Sequence, residues 1–470
     1  MKVLLFNPKG PSEGYGVGLA YIAAVLIRKG HSVRVIDYHN REDNKLQRLA
    51  DGLRWQPDVI GASMNSFTVV NAKKIIGECR ERYKKKTVYI AGGPYVTMKQ
   101  EDFLRENKEF DCAACGEAEL TFIQLLDALK KRKGLGSVKG IIYRKGNKII
   151  KTGQQELVDI DKLPFPDFSV YDSVKGYIPV YPLLTSRGCP YSCVFCLNVR
   201  LFGRKWRSRK PENVVEELMR AKKEYNIKTY AIQDDNFTLN KERAKEILRL
   251  VIKKKINMPF SLPNGIRADM VDMELALLLK KAGCGVVKIG IENGDPATFE
   301  YVKKGESLEE IEKGVKILKK AGLRVESFMI IGLINTDYKS VMRSLAFVKK
   351  LGIKTNWYNA IPFEHTELYD WIKEKGRFLA HSDKLVGSLW TPDQPILFET
   401  PEFSAKERKK AFYICNSETG NYEFFAIGSN YIEKSLNILK TLWQYNKKRI
   451  PHFMFFGLRK IFRLARGIPD

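Results

Sequence analysis

The chain has 470 residues, 44% of them hydrophobic and 29% charged, enough for about two or three domains with their own cores. It holds no apolar run of the ~18 residues that a spanning helix requires, and eight cysteines are too few to staple a chain of this size with disulfides. Lysine and arginine number 81 against 54 acidic residues, a net charge of +27. That excess fits a lysine-rich solvated surface, an anionic membrane face, a phosphorylated substrate or nucleic acid, and does not choose among them.

Residues 1–136 alternate strand-like and helical patterns. Short β-rich runs at 2–7, 32–37, 58–63 and 87–92 predict strands. The first, ended by Pro8, is too short for a signal peptide. Leu19, Ile22, Ala23 and Leu26 share one helical face that stops at Gly30, and Leu120, Phe122, Ile123, Leu125, Leu126 and Leu129 form another. The pattern predicts an α/β fold with a doubly wound, Rossmann-like parallel sheet, whose ligand sits at the carboxyl ends of the strands. Those ends carry Asn7-Pro8, the 14–18 loop, Ser63 to Thr68 with Ser66 between them, Gly92-Gly93-Pro94 and Gly116-Glu117. Glycines there let a large flat ligand approach the backbone.

Residues 137–175 read as a connector, with a hairpin around Gly146-Asn147 and a break at Leu163-Pro164-Phe165-Pro166. From 176 to 365 the rhythm changes. Strand-like runs at 180–185, 229–233, 260–263, 285–291, 324–332 and 354–361 alternate with amphipathic helices, predicting a partial (β/α)6 barrel of TIM type. After its first strand stand Cys189, Cys193 and Cys196, spaced CxxxCxxC, with Phe195 before the last. Three thiolates on one short loop suit three irons of a cubic cluster and leave the fourth iron open to a substrate. Later strands end in Gln233-Asp234-Asp235-Asn236-Phe237, Asn264-Gly265-Ile266-Arg267-Ala268-Asp269, Gly290-Ile291-Glu292-Asn293-Gly294 and Phe328-Met329-Ile330-Ile331-Gly332-Leu333. Cys112 and Cys115, a lone CxxC, read as packed or loop thiols.

Residues 366–470 predict a mainly helical, aromatic-rich cap. Its tail places Met454, Phe455, Leu458, Ile461, Phe462 and Ala465 on one helical face and Arg459, Lys460, Arg463 and Arg466 on the other. That is the pattern of an interfacial membrane helix, or of a helix packed on the barrel with solvated arginines.

The cysteine spacing, the aromatic before the third cysteine and these strand ends resemble the radical S-adenosylmethionine superfamily, in its cobalamin-dependent branch. The resemblance spans roughly residues 1 to 365, because Gly18-Leu19-Ala20-Tyr21-Ile22-Ala23-Ala24, Gly92-Gly93-Pro94 and Gly116-Glu117-Ala118-Glu119 resemble the cobalamin-binding domain that precedes many of its members. It implies a 4Fe–4S cluster on Cys189, Cys193 and Cys196, with S-adenosylmethionine on the open iron. Asp234 and Asp235 are then expected at its ammonium group. Asn264, Arg267 and Glu292 suit its carboxylate and ribose, and Phe195, Gly332 and Leu333 its adenine. Local alternatives remain open: Asp234 and Asp235 as helix caps, and Arg267 paired with Asp269. Ser63, Ser66, Gly92, Gly93, Pro94, Gly116 and Glu117 are the expected cobalamin contacts.

Three departures from the family pattern stand out. Many cobalamin proteins use DxHxxG after the first strand. Here Asp37-Tyr38-His39 follows the second strand and Glu42 replaces the glycine, so His39 reads as a surface turn residue and cobalamin is expected to bind without a protein histidine. Ile334-Asn335-Thr336 and Glu364-His365-Thr366 replace the usual Pro-Gly-Glu and Pro-Gly-Thr, which points to an unusual substrate.

The resemblance implies a methyltransferase. It would act on an unactivated carbon of a small-molecule or lipid-like substrate through a 5′-deoxyadenosyl radical. Its electron donor would be a reductase, flavodoxin or ferredoxin. Its place would be the cytoplasm, including the inner face of the membrane through the tail, and no nucleic-acid partner is expected. Cyclisation or carbon–carbon coupling without methyl transfer stays open. A methylthiotransferase is disfavoured, since Cys79, Cys112 and Cys115 do not match the second-cluster set of that family and the tail reads as helical. A basic membrane- or nucleic-acid-binding protein with a structural cluster would want a fourth protein ligand, and Cys284 lies at the amino end of its strand.

Overall fold

The computed structural model describes residues 1–10, 14–380, 395–421, 431–445 and 447–449. They divide into two compact units: residues 1–190, 197–263 and 278–285, and residues 191–196, 264–277 and those from 286 on.

The first unit begins with strands β1 (Lys2–Asn7), β2 (Ser32–Asp37), β3 (Val59–Ser63), β4 (Val88–Gly92) and β5 (Cys112–Ala114), all parallel, in the order β2-β1-β3-β4-β5. Helices such as Val17–Arg28, Val69–Arg82 and Glu119–Lys130 alternate with them. Val3 to Phe6 and Ile60 are buried, as expected of strands covered on both faces. β5 was not foreseen: three residues are too few for a periodic signal. The hairpin expected in the connector forms β6 (Ile141–Lys145) and β7 (Lys148–Lys151), which extend the same sheet antiparallel beyond β5. The reason is the open edge of β5, against which Ile141 and Ile142 bury. Residues 167–172 run along the other edge, where the Val35 N–H donates to the Val170 carbonyl and Arg48 grips Asp172 at 2.6 and 2.7 Å.

The same unit carries β8 (Val180–Leu183), β9 (Ser186–Arg187), β10 (Arg207–Ser208), β11 (Thr229–Ile232) and β12 (Phe260–Ser261). β8, β11 and β12 form a parallel three-stranded sheet, while β9 and β10 pair antiparallel beyond it. Helix Pro211–Glu224 starts with proline at its first turn, and Asn240 caps Lys241–Lys253 by accepting from the Arg243 N–H.

The second unit holds the other half of the expected barrel strands: β13 (Val286–Glu292), β14 (Arg324–Ile331) and β15 (Lys354–Asn359), again parallel. Ser307 with Glu310 and Asp337 with Ser340 make capping boxes for the helices Leu308–Lys320 and Tyr338–Leu351. The C-terminal region is helical over Glu367–Lys375, Ala405–Glu418 and Tyr431–Tyr445, with one short strand pair, Arg377–Phe378 and Phe398–Glu399. The amphipathic tail over 454–466, and Trp390, Tyr422, Phe424 and Phe425, lie outside the described residues. Among the described residues no helix is long and apolar enough to cross a membrane.

Candidate active site

In the first unit the loops after β3, β4 and β5 meet at the carboxyl edge of the parallel sheet. Gly93 has φ +97°, and an added Cβ would fall 2.5 Å from the Met64 carbonyl oxygen and 2.9 Å from Ser63 Oγ. The β4 loop therefore lies directly on the β3 loop, which only glycine permits. At Gly92 and Gly116 an added Cβ would meet nothing within 4 Å, so that backbone is open to a ligand. A cavity of about 340 Å³ lies at this edge. Ser63, Gly93, Pro94, Thr97, Gly116 and Glu117 line it from the sheet loops, and Leu184, Arg187, Gln233 and Asp235 from the ends of β8, β9 and β11. Tyr21, Leu201 and Phe202 supply apolar wall. Ser66 and Gly92 do not line it, and Ser66 is buried. Glycine backbone, hydroxyls and apolar side chains fit a broad, flat cofactor. His39 is turned to other work: its Nδ1 lies 3.0 Å from the Gly10 N–H and 3.3 Å from the Pro8 carbonyl.

The same unit builds the support of the cysteine loop. The buried Asp234 carboxylate accepts from the Thr185 N–H at 2.6 Å, the Thr185 hydroxyl at 2.5 Å and the Ser186 hydroxyl at 2.5 Å. Burial pushes its pKa up, against the pull of these bonds. Asp234 thus clasps the strand leading into the cysteines. Asp235 does line the cavity, and it accepts from the Gly188 N–H at 3.1 Å. Burial raises its pKa as well. Gly188 has φ +86°, and an added Cβ would collide with the Lys205 carbonyl oxygen. The turn into Cys189 is thus closed from two sides.

Glu117 lines the cavity, but its carboxylate is occupied. Arg207 Nη1 donates to it at 2.9 Å, Arg187 Nη1 lies 3.3 Å away, and the Val158 N–H donates at 3.3 Å. Burial pushes this carboxyl up, yet Arg207 and Arg187 outweigh it and hold the group below its ordinary range. Arg187 Nη2 also donates to Glu119 at 2.7 Å.

In the second unit, the Val194 N–H donates to the Val302 carbonyl and the Leu368 N–H donates to the Val194 carbonyl, which fasten the segment 191–196. Arg267 stacks on the Tyr191 ring at 3.8 Å, pairs with Asp269 at 2.8 and 3.0 Å, and donates to the Gly305 carbonyl at 2.8 Å. The pairing with Asp269 left open by the sequence is observed, and Arg267 braces the cysteine loop at Tyr191. Glu292, at the end of β13, sits at φ +67°, a conformation that non-glycine residues adopt only under constraint. Burial lifts its pKa to about 7, with Lys304 at 3.8 Å pulling it down and Glu306 pushing it up. Asn264 is exposed, Phe195 half-buried and Leu333 buried. Gly332 is covered: an added Cβ would lie 2.5 Å from Arg408 Nη1. The Arg408 guanidinium packs between the Phe398 ring at 3.9 Å and the Phe403 ring at 5.0 Å, and burial pulls its pKa down to about 9.

Cys189, Cys193 and Cys196 are all half-buried. Among the described residues no three His, Cys, Asp or Glu side chains converge on a single-ion site. A cubic cluster asks for something else, one thiolate per iron corner from a flexible loop, and this cysteine loop has that donor set. Sequence reasoning missed Arg187, Arg207, Glu119, Lys304 and Arg408. Arg187 and Glu119 stand within or beside the motifs and Lys304 and Arg408 well away from them, and nothing local announced their partners.

Residues 183–348 match the Radical SAM superfamily model, and residues 6–126 match the B12 binding domain model. The chain is 32% identical over 386 residues to the uncharacterized methyltransferase PH0819 of Pyrococcus horikoshii, covering 79% of this chain and 83% of that one. It is 29% identical to the cytidylyl-2-hydroxyethylphosphonate methyltransferase of Streptomyces wedmorensis, over 71% of this chain and 73% of that one. In fold it is similar to the radical S-adenosylmethionine methyltransferase TsrM of Kitasatospora setae, solved with tryptophan substrate and a SAM analog. The TM-score is 0.75 at 15% identity, with 99% of each chain covered.

Proposed function

The chain belongs to the cobalamin-dependent radical S-adenosylmethionine methyltransferase family, and from that membership we propose that it methylates an unactivated carbon of a small organic substrate. It is an enzyme, and its cofactors are a 4Fe–4S cluster, S-adenosylmethionine and cobalamin. When bound, the cluster supplies the electron that cleaves the S-adenosylmethionine sulfonium for hydrogen abstraction, and cobalamin supplies the methyl group. The residues divide the remaining work. Cys189, Cys193 and Cys196 hold the cluster. Ser63, Gly93, Pro94 and Gly116 would line the cobalamin site, and His39 would take no part in holding it. Asp235 would serve a polar group of S-adenosylmethionine.

One observation supports this reading above the others. A single cavity is walled by cobalamin-type loops on one side and, on the other, by Leu184, Arg187, Gln233 and Asp235 at the ends of β8, β9 and β11, with Asp235 holding the Gly188 N–H that precedes Cys189. Tyr21, Leu201 and Phe202 give this cavity an apolar wall. A flavodoxin- or ferredoxin-type donor in the cytoplasm and a membrane contact through the tail complete the proposal.

The test is anaerobic reconstitution with iron, sulfide, hydroxocobalamin, S-adenosylmethionine and a reductant. The expected products are 5′-deoxyadenosine and S-adenosylhomocysteine, both lost in Cys193→Ala. Formation of 5′-deoxyadenosine without S-adenosylhomocysteine would replace methyl transfer by cyclisation or coupling. Absence of both, unchanged by C193A, would sink the radical reading.

A further inference from the structure

We propose that Arg187 is a positioning residue that couples cobalamin binding to the organisation of the cluster loop, through Glu119 and Glu117. The proposal rests on the cofactor reading above and goes beyond it.

Arg187 stands two residues before Cys189, with only Gly188 between them. Its guanidinium reaches back to the loop after β5, a cavity wall, where it meets Glu119 at 2.7 Å and Glu117 at 3.3 Å. Arg207, paired with Arg187 across β9 and β10, donates to the other oxygen of Glu117 at 2.9 Å. Two arginines on adjacent strands therefore grip two carboxylates that flank Ala118. Tyr21 lies 5.0 Å beneath the Arg187 guanidinium and lines the same cavity. The far side of the loop is fixed as well, because the Gly116 N–H donates to Thr97 Oγ1 at 2.9 Å.

The arrangement is poorly explained as mere stabilisation. The side chains of Arg187 and Glu117 are only 9% and 4% exposed, and ion pairs so buried gain little over apolar packing because desolvation offsets the attraction. What the pair does supply is direction. A planar guanidinium fork holds two carboxylates in one geometry, which a lysine ammonium cannot. A cofactor seated against Gly116 and Glu117 orders these carboxylates. Through Arg187 the same ordering reaches the backbone that presents Cys189. By linkage the effect is reciprocal: an assembled cluster tightens cobalamin binding by the same factor.

The experiment titrates full-length protein with hydroxocobalamin, followed by absorbance, in cluster-free and cluster-reconstituted forms. For the wild type the reconstituted form should bind at least about fivefold more tightly, the lower end of ordinary coupling. In Arg187→Lys and in Glu119→Gln, which keeps the shape but not the charge, that ratio should fall towards one. A purely structural role would lower stability or both affinities and leave the ratio intact. Equal affinities in the two wild-type forms, or an undiminished ratio in both variants, would overturn the coupling. Absence of cobalamin uptake by either wild-type form would instead overturn the cofactor reading and the coupling with it. If R187K does not fold, E119Q decides.

Discussion

Replacing Asp234 by alanine separates two roles that the sequence leaves open. Its carboxylate accepts from the Thr185 N–H, the Thr185 hydroxyl and the Ser186 hydroxyl, and it is buried. Each buried donor left without an acceptor costs about 1–3 kcal/mol. The two hydroxyls can turn to other acceptors, whereas the N–H cannot. A loss of about 3–5 kcal/mol follows, the range for breaking a buried charged network. Relief of the charge's own desolvation does not rescue the variant, because the donors stay buried. At about 2–4 °C per kcal/mol for a unit of this size, the unfolding midpoint should drop by roughly 10 °C. Asp234→Asn keeps one oxygen for the N–H and should lose about half as much. The assay is thermal unfolding of cluster-free protein by circular dichroism, with iron content measured after reconstitution. A D234A protein that melts within about 2 °C of wild type yet binds S-adenosylmethionine weakly would refute the clasp and restore the ligand role.

Gly188→Ala places a Cβ at φ +86° against the Lys205 carbonyl. Its left-handed backbone alone costs about 1–2 kcal/mol, so iron content should fall while cobalamin uptake persists; full cluster loading would contradict the closed turn. Glu292 gives a pH signature. Its pKa rises from an ordinary 4.5 to about 7 on folding, facing Lys304 and Glu306. The stability it contributes is therefore full below pH 4.5 and lost as pH rises through about 7. At 1.36 kcal/mol per pKa unit that is about 3 kcal/mol relative to Glu292→Gln, readable by urea denaturation without S-adenosylmethionine. A difference that does not vary with pH would exclude the shift. His39→Ala should bind hydroxocobalamin within about threefold of wild type, some 0.6 kcal/mol, because the ring serves Gly10 and Pro8; a loss of binding would make His39 a ligand.

Short-range features were legible in the residues themselves. Val3 to Phe6 is an apolar run that a parallel sheet buries on both faces, and Cys189, Cys193 and Cys196 lie on one loop because the chain is too short between them to do otherwise. The six β/α units after residue 176 were visible for the same reason, since periods of 2 and 3.6 are written over a few neighbouring residues. Tertiary packing alone decided what these elements serve. Asp234 and Asp235 are adjacent and identical in chemistry, yet in the loop after β11 the first turns back to Thr185 and Ser186 and the second lines the cavity. Arg187 and Glu119 are 68 residues apart, and no local pattern ties them. Their pairing exists only once the first sheet and the strands after residue 176 have packed against each other, because the burial of charge that selects such partners is a property of the assembled interior.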